Sequence, residues 1–110
     1  MAYYLWTGNY TRKAVRGMMK NPSDREAAAR KAIEAAGGKM LHVFAALGSH
    51  DLVLLAEFPD DVSAATVSVL TGAAGAVENG NTTRLMTMDE LAQSIAKASK
   101  IASEYVPPQD

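Results

Sequence analysis

Two apolar runs held four residues apart constrain the fold more than any other feature of this chain. Residues 39–47 read KMLHVFAAL and residues 52–58 read LVLLAEF, with Gly48-Ser49-His50-Asp51 between them. Four residues cannot carry a crossover, so the runs must turn back on each other as an antiparallel hairpin. Side chains alternate across a strand. Leu52, Leu54, Ala56 and Phe58 therefore share one face, and Val53, Leu55 and Glu57 the other. In the first run Leu41, Val43, Ala45 and Leu47 oppose His42, Phe44 and Ala46. Both faces are largely apolar, and a sheet of this kind needs cover on both sides.

The flanking sequence supplies part of that cover. Residues 2–7, AYYLWT, are aromatic-rich and read as a strand broken by Gly8-Asn9. Thr11 is placed to cap a helix whose Ala14, Val15, Met18 and Met19 repeat at the helical period. Asn21-Pro22 interrupts it. Ser23 with Glu26 three residues on has the spacing of a capping box, and opens an alanine-rich helix that Gly37-Gly38 ends. Pro59-Asp60-Asp61 stops the hairpin's second strand, and a helix over residues 62–76 follows, capped by Ser63 or Asp61. Residues 77–87 return as a strand, regular from Thr82. Met88-Asp89-Glu90 then opens a last helix to about Tyr105, and Pro107-Pro108 ends regular structure.

The resulting order predicts an α+β, ferredoxin-like βαββαβ fold: a four-stranded antiparallel sheet with two helices on one face and an extra C-terminal helix. The second apolar face predicts packing on another copy, as a homodimer or a multiple of dimers. At 110 residues the chain is one domain by size. Its net charge of −1 argues against a nucleic-acid protein, and the cluster Arg12, Lys13, Arg16 and Lys20 reads as a solvated helix face. There is no cysteine, which excludes disulfides and thiolate chemistry. Residues 1–20 lack the pattern of a signal peptide, and no apolar run is long enough to span a bilayer. The expectation is a cytoplasmic protein with no membrane partner.

Several stretches, taken in order, resemble the GYD domain family: YLWTGNYT, the Pro22–Arg25 approach to the alanine-rich helix, GGK, LGSHDLVLLAEFPDD and AVENGNTTRLMT. The resemblance runs from Tyr3 to about Glu90. It implies a dimeric α/β barrel of ferredoxin-like subunits, with a domain over residues 1–90 and a C-terminal helix and proline-rich end over 91–110. The family takes its name from a glycine, a tyrosine and an aspartate at the hairpin turn, where this chain has His50 in the tyrosine's place.

Several residues are candidates for chemistry. Asp51 reads as a turn aspartate whose carboxylate accepts from nearby amides, or as a catalytic base or an orienter of His50. His50 titrates near neutrality and is a candidate base. His42 shares a strand face with Phe44, as a packed histidine or as a second base. His42, His50 and Glu57 do not have a recognised zinc spacing, so no metal or cofactor is expected. A carboxylate such as Glu57 in an apolar strand needs a partner, and Arg84 on the fourth strand is the predicted one, with a cavity acid of raised pKa as the alternative. Tyr4, Trp6, His42, Phe44, Arg84 and Met86 are the predicted lining of a ligand cavity. No P-loop, dinucleotide fingerprint, nucleophile elbow or zinc-protease motif is present. The leading functional expectation is a protein that binds a small apolar or aromatic molecule. The alternatives are a cofactor-independent oxygenase, isomerase or cyclase with a histidine base, and a structural or regulatory assembly module.

Overall fold

The computed structural model of the chain describes residues 1–109. Its elements are β1 (Ala2–Tyr10), α1 (Arg12–Lys20), α2 (Arg25–Ala35), β2 (Lys39–Ala45), β3 (Leu52–Phe58), α3 (Asp61–Ala73), β4 (Val77–Leu85), α4 (Met88–Lys100) and a 3-10 turn, Ala102–Glu104. The strands form one antiparallel sheet in the order β2-β3-β1-β4. This is the ferredoxin-like α+β fold with an added C-terminal helix that the sequence predicts. Asp110, the last residue of the expected 91–110 segment, lies outside the described residues.

Helices start where short polar side chains take up free backbone N–H groups. Thr11 accepts from the Ala14 amide at 3.1 Å and donates to the Gly75 carbonyl at 2.6 Å, so α1 is tied to the turn before β4. Two expected caps shift by a residue or more. Asp24, not Ser23, caps α2 by accepting from Ala27, and Asp60, not Ser63 or Asp61, caps α3 by accepting from Ser63 at 2.8 Å. In both places a carboxylate rather than a serine hydroxyl meets the positive end of the helix dipole, and Asp61 already lies within the first turn of α3. Gly37, at φ 89°, gives α2 its left-handed exit. The last helix ends at Lys100 rather than near Tyr105, its final residues tightening into the 3-10 turn.

Strand limits and pairing differ at four places. β4 ends at Leu85, two residues short of Thr87. β2 stops at Ala45, two residues short of the expected end. β1 runs through Gly8-Asn9 to Tyr10 instead of breaking there. β4 starts at Val77 as expected but is already paired there, ahead of Thr82. The last two differences share a cause. The Trp6 ring lies over two glycines: a Cβ on Gly8 would fall 2.4 Å from the ring, and one on Gly80 3.2 Å from its Nε1. Gly8 therefore serves as a seat for the indole within a continuous strand. Opposite it, the register slips between Thr7 and Asn9, and Asn79 takes a left-handed φ of 53°, so β4 bulges without leaving the sheet.

The core lies between one sheet face and the pair α2 and α3. Tyr4, Met40, Leu54, Ala56 and Phe58 rise from the strands to meet Ile33 and Ala64 from the helices. The other sheet face carries Tyr3, Leu5, Val53, Leu55 and Leu85, with Phe44 63% exposed, and none of them is buried.

Ile33 is 1% exposed, and Ile33→Ala is expected to cost about 2–4 kcal/mol in a urea unfolding measurement. Asp60 is held below the ordinary carboxylate range, chiefly by the Ser63 amide and then by its hydroxyl. A group depressed in this way favours the fold while ionised. Its contribution is complete above roughly pH 4 and is lost as pH falls through the folded value. Asp60→Asn keeps a capping acceptor without the titration, so its melting temperature is expected to fall less steeply than that of the parent on acidification below that pH.

Candidate functional site

One extra residue in β2 decides which predicted site residues meet. Met40 stands opposite Ala56, but the next pair is His42 opposite Leu55, so Leu41 is bulged out of register. Met40 and Val43 therefore face the helices, while His42 and Phe44 turn to the open face beside Leu55 and Val53. Tyr4 and Trp6, opposite Ala56 and Leu54, face the helices. The predicted lining is thus split across the sheet: Tyr4, Trp6 and Arg84 lie on one side and His42 and Phe44 on the other. His42 and Phe44 stack at 6.1 Å between centroids, 14° from parallel, on the open face. Met86 lies beyond β4 in the link to α4, and is half-exposed.

The predicted Glu57–Arg84 pair does not form. Glu57 stands opposite Tyr3 and Lys39, whereas Arg84 stands opposite Tyr4. Tyr3 and Tyr4 are adjacent, so the two charges point to opposite faces. Arg84 instead pairs with Asp61 in the first turn of α3, Nε to Oδ1 at 3.4 Å. The buried Tyr4 hydroxyl donates to the same Asp61 oxygen at 2.5 Å, while its ring meets Phe58 edge-on at 5.6 Å. Asp61 therefore fastens the start of α3 to the sheet. Its hydrogen bond to Tyr4, reinforced by burial, raises the phenol above its ordinary pKa and keeps it a donor.

At the far end of the sheet the hairpin is tied by Asp51. Its Oδ2 accepts from the Tyr10 amide at 3.0 Å, its own N–H donates to the Gly8 carbonyl at 3.0 Å, and its carbonyl accepts from Ala46 at 2.8 Å. These bonds hold the turn against the end of β1, which is the turn-aspartate geometry. His50 is half-buried with Nδ1 3.4 Å from the Ser49 hydroxyl. Among the described residues no three histidine, aspartate or glutamate side chains gather closely enough to hold a metal ion.

A cavity of about 120 Å³ lies between the sheet and the helices α2 and α3. Its sheet wall is Trp6, Leu52, Leu54, Phe58 and Thr82. Its helix wall is Ala28, Ala29, Ala32 and Ile33 from α2 with Ala64, Val67, Ser68 and Thr71 from α3, and Tyr10 and Arg25 also border it. Among the six predicted lining residues, Trp6 alone borders this space. The sequence signal for the others was the run of small residues along two facing helices. Alanines at 28, 29 and 32 cannot reach across the layer, and α3 meets them with alanine, serine and threonine as well as Val67. The polar groups at the wall are mostly hydroxyls already engaged: Ser68 and Thr82 bond each other at 3.2 Å, and Thr71 donates to the Val67 carbonyl at 2.9 Å.

Two substitutions separate the roles at Asp61. The Arg84–Asp61 pair is largely exposed, and Arg84→Met is expected to cost less than about 1 kcal/mol. Tyr4→Phe, which leaves the ring but removes the hidden donor, is expected to lower thermal stability more. Because the folded pKa is raised, this contribution is complete below the ordinary tyrosine value near about pH 10 and is lost as pH rises through the folded value. Alkaline difference spectra are expected to show a late phenolate step that Tyr4→Phe removes.

The fold has counterparts among solved structures. The crystal structure of MtbAldR is 19% identical, with a TM-score of 0.52 over 78% of this chain and 52% of that one. A transcriptional regulator from Neisseria meningitidis, solved as an L-Met complex, is 16% identical, with a TM-score of 0.48 over 78% of this chain and 50% of that one. The chain thus spans about half the length of these structures, and at such identity the likeness to MtbAldR is one of fold. No curated protein matches the chain. The GYD domain model matches residues 4–95, which take in β1 from Tyr4, the other three strands, α1 to α3 and the first part of α4, and the chain belongs to the GYD domain family.

Proposed function

We propose that this protein binds a compact, largely apolar molecule, of the size of a single aromatic ring, in the cavity between the sheet and helices α2 and α3. The observation that carries this reading is the cavity itself: about 120 Å³ walled by Trp6, Leu54, Phe58, Ile33 and Val67. An apolar void of about 150 Å³ in a protein core holds benzene, so the space suits a ligand of that order. Small-molecule sites have this character, an apolar wall with few polar groups to orient the guest. Tyr10 and Arg25 border the space and are the groups available to a polar substituent.

Binding accounts for the geometry better than catalysis. His42 is across the sheet from the cavity, and His50 sits in the hairpin turn. Asp51 and Tyr4 are committed to backbone and Asp61 contacts. The cavity wall therefore offers no histidine or carboxylate as a general base. We further infer that the chain acts as a homo-oligomer that covers the open sheet face. An exposed face bearing Leu5, Phe44, Val53, Leu55 and Leu85 is the support for this. No helix among the described residues is long and apolar enough to cross a membrane.

Trp6 is the chain's one tryptophan, so its emission reports directly on the site. Titration with benzene, phenol or indole analogues that do not fluoresce at the tryptophan wavelength is expected to shift Trp6 emission and raise the melting temperature together. Ala29→Leu is expected to weaken binding about tenfold or more, since added methylenes in a filled space cost about 1–3 kcal/mol. A ring-sized series that leaves both signals unchanged at millimolar concentration would overturn the proposal, as would full binding by Ala29→Leu.

A further inference from the structure

The C-terminal helix does not belong to the body that precedes it. None of the residues of α4 is buried, and Met88, Leu91 and Ile95 are 77%, 42% and 61% exposed. The chain has a radius of gyration of 18.2 Å and a longest extent of 62 Å. A compact chain of this length would have a radius of about 13 Å, so α4 stands out as an arm. Two residues, Met86 and Thr87, join it to β4. A reciprocal capping box fixes its start: Thr87 Oγ1 accepts from the Glu90 amide at 3.1 Å, and Glu90 Oε1 from the Thr87 amide at 3.0 Å.

The arm is amphipathic. Met88, Leu91, Ala92 and Ile95 lie along one side, while Asp89, Gln93, Lys97 and Lys100 lie along the other. An isolated helix of this length is marginal in water, and most helices are held by packing of their apolar face. The same chain carries a second uncovered apolar surface, the open sheet face. Its own arm has no substantial packing on it. A second copy offers both complements at equal number, and a two-fold axis satisfies them together. In projection the sheet face and the arm's stripe amount to about 600 Å² per chain from strand and helix dimensions. That approaches the roughly 800 Å² of accessible surface each partner gives to a stable interface, because side-chain relief makes accessible area larger than projected area. The two acids and two lysines of α4 balance, unlike a membrane-surface helix with its basic polar side.

We infer that α4 is an exchanged arm: in a two-fold dimer the open sheet faces meet, and the Met88–Leu91–Ile95 stripe of each copy packs against the other copy. This rests on the homo-oligomer reading above, and the experiment separates the two. Light scattering of the full chain at tens of micromolar is expected to give twice the 11.7 kDa chain mass. The double substitution Leu91→Glu with Ile95→Glu keeps good helix formers in place and is expected to raise the dimer's dissociation constant about tenfold or more. Hydrogen exchange is expected to show α4 amides protected in the parent dimer and unprotected in the double variant. A dimer of unchanged affinity in the variant, with α4 amides unprotected in the parent, would overturn the arm and leave the sheet-face dimer standing. A monomer would overturn both, whether α4 exchanges freely, folds back or binds anionic vesicles.

Discussion

The pairing of β1 with β3 runs without a break from Ala2 opposite Phe58 to Gly8 opposite Leu52. Because both strands are apolar on both sides, this pairing creates two surfaces that water disfavours. One surface gathers Tyr4, Leu54, Ala56 and Phe58 and is closed by Ile33 and Ala64. The other holds Leu5, Val53 and Leu55 and is closed by nothing among the described residues. The helix layer, the cavity beneath it and the uncovered face are all consequences of that one ladder. Even the start of α3 is set by it, since Tyr4 emerges from the covered side to hold Asp61.

The cavity arises from a mismatch of side-chain length in the covered layer. Along α3, Ala64, Val67, Ser68 and Thr71 recur at the helical period, and along α2 Ala28, Ala29 and Ala32 face the same space. A sheet face of ordinary side chains cannot fill what two small-residue helices leave between them. Trp6 fills part of it, and its ring is seated by removing side chains at Gly8 and Gly80. Gly8, which reads as a strand breaker, and Gly80 are thus together the condition for a large aromatic wall. Close packing elsewhere in the layer, with Ile33 and Ala56 almost wholly buried, shows that the void is local.

Much of this fold was legible because its signals are local. The hairpin was fixed by two apolar runs and a four-residue turn, and β3 spans the residues expected of it. The helix starts followed from capping chemistry, with errors of one to three residues where several acceptors stood in a row, as at Ser23-Asp24 and Asp60-Asp61. The site was less legible, and the Leu41 bulge is the main reason. Without it, His42 would stand opposite Leu54 and share the covered side with Tyr4 and Trp6. One inserted residue reverses every side chain from that point on. Glu57 and Arg84 were paired in expectation for a related reason: their relative face depends on a register across two ladders, which single-strand periodicity does not contain.

The separation that the bulge produces bears on chemistry. General acid–base work needs its titrating group within hydrogen-bond reach of the reacting atoms. Here the sheet itself, one backbone layer thick, stands between His42 and the cavity. The polar groups of the covered side are spent on structure: Tyr4 on Asp61, Ser68 on Thr82, Thr71 on its own helix. A cavity so arranged can select a guest by shape and apolar contact, with Arg25 and Tyr10 available at its border. The stacked His42 and Phe44, by contrast, stand on the face that has no cover among the described residues. Covering that face with a second copy would bring them into an apolar contact at the interface, so the same bulge that removes a base from the cavity supplies aromatic surface to the assembly.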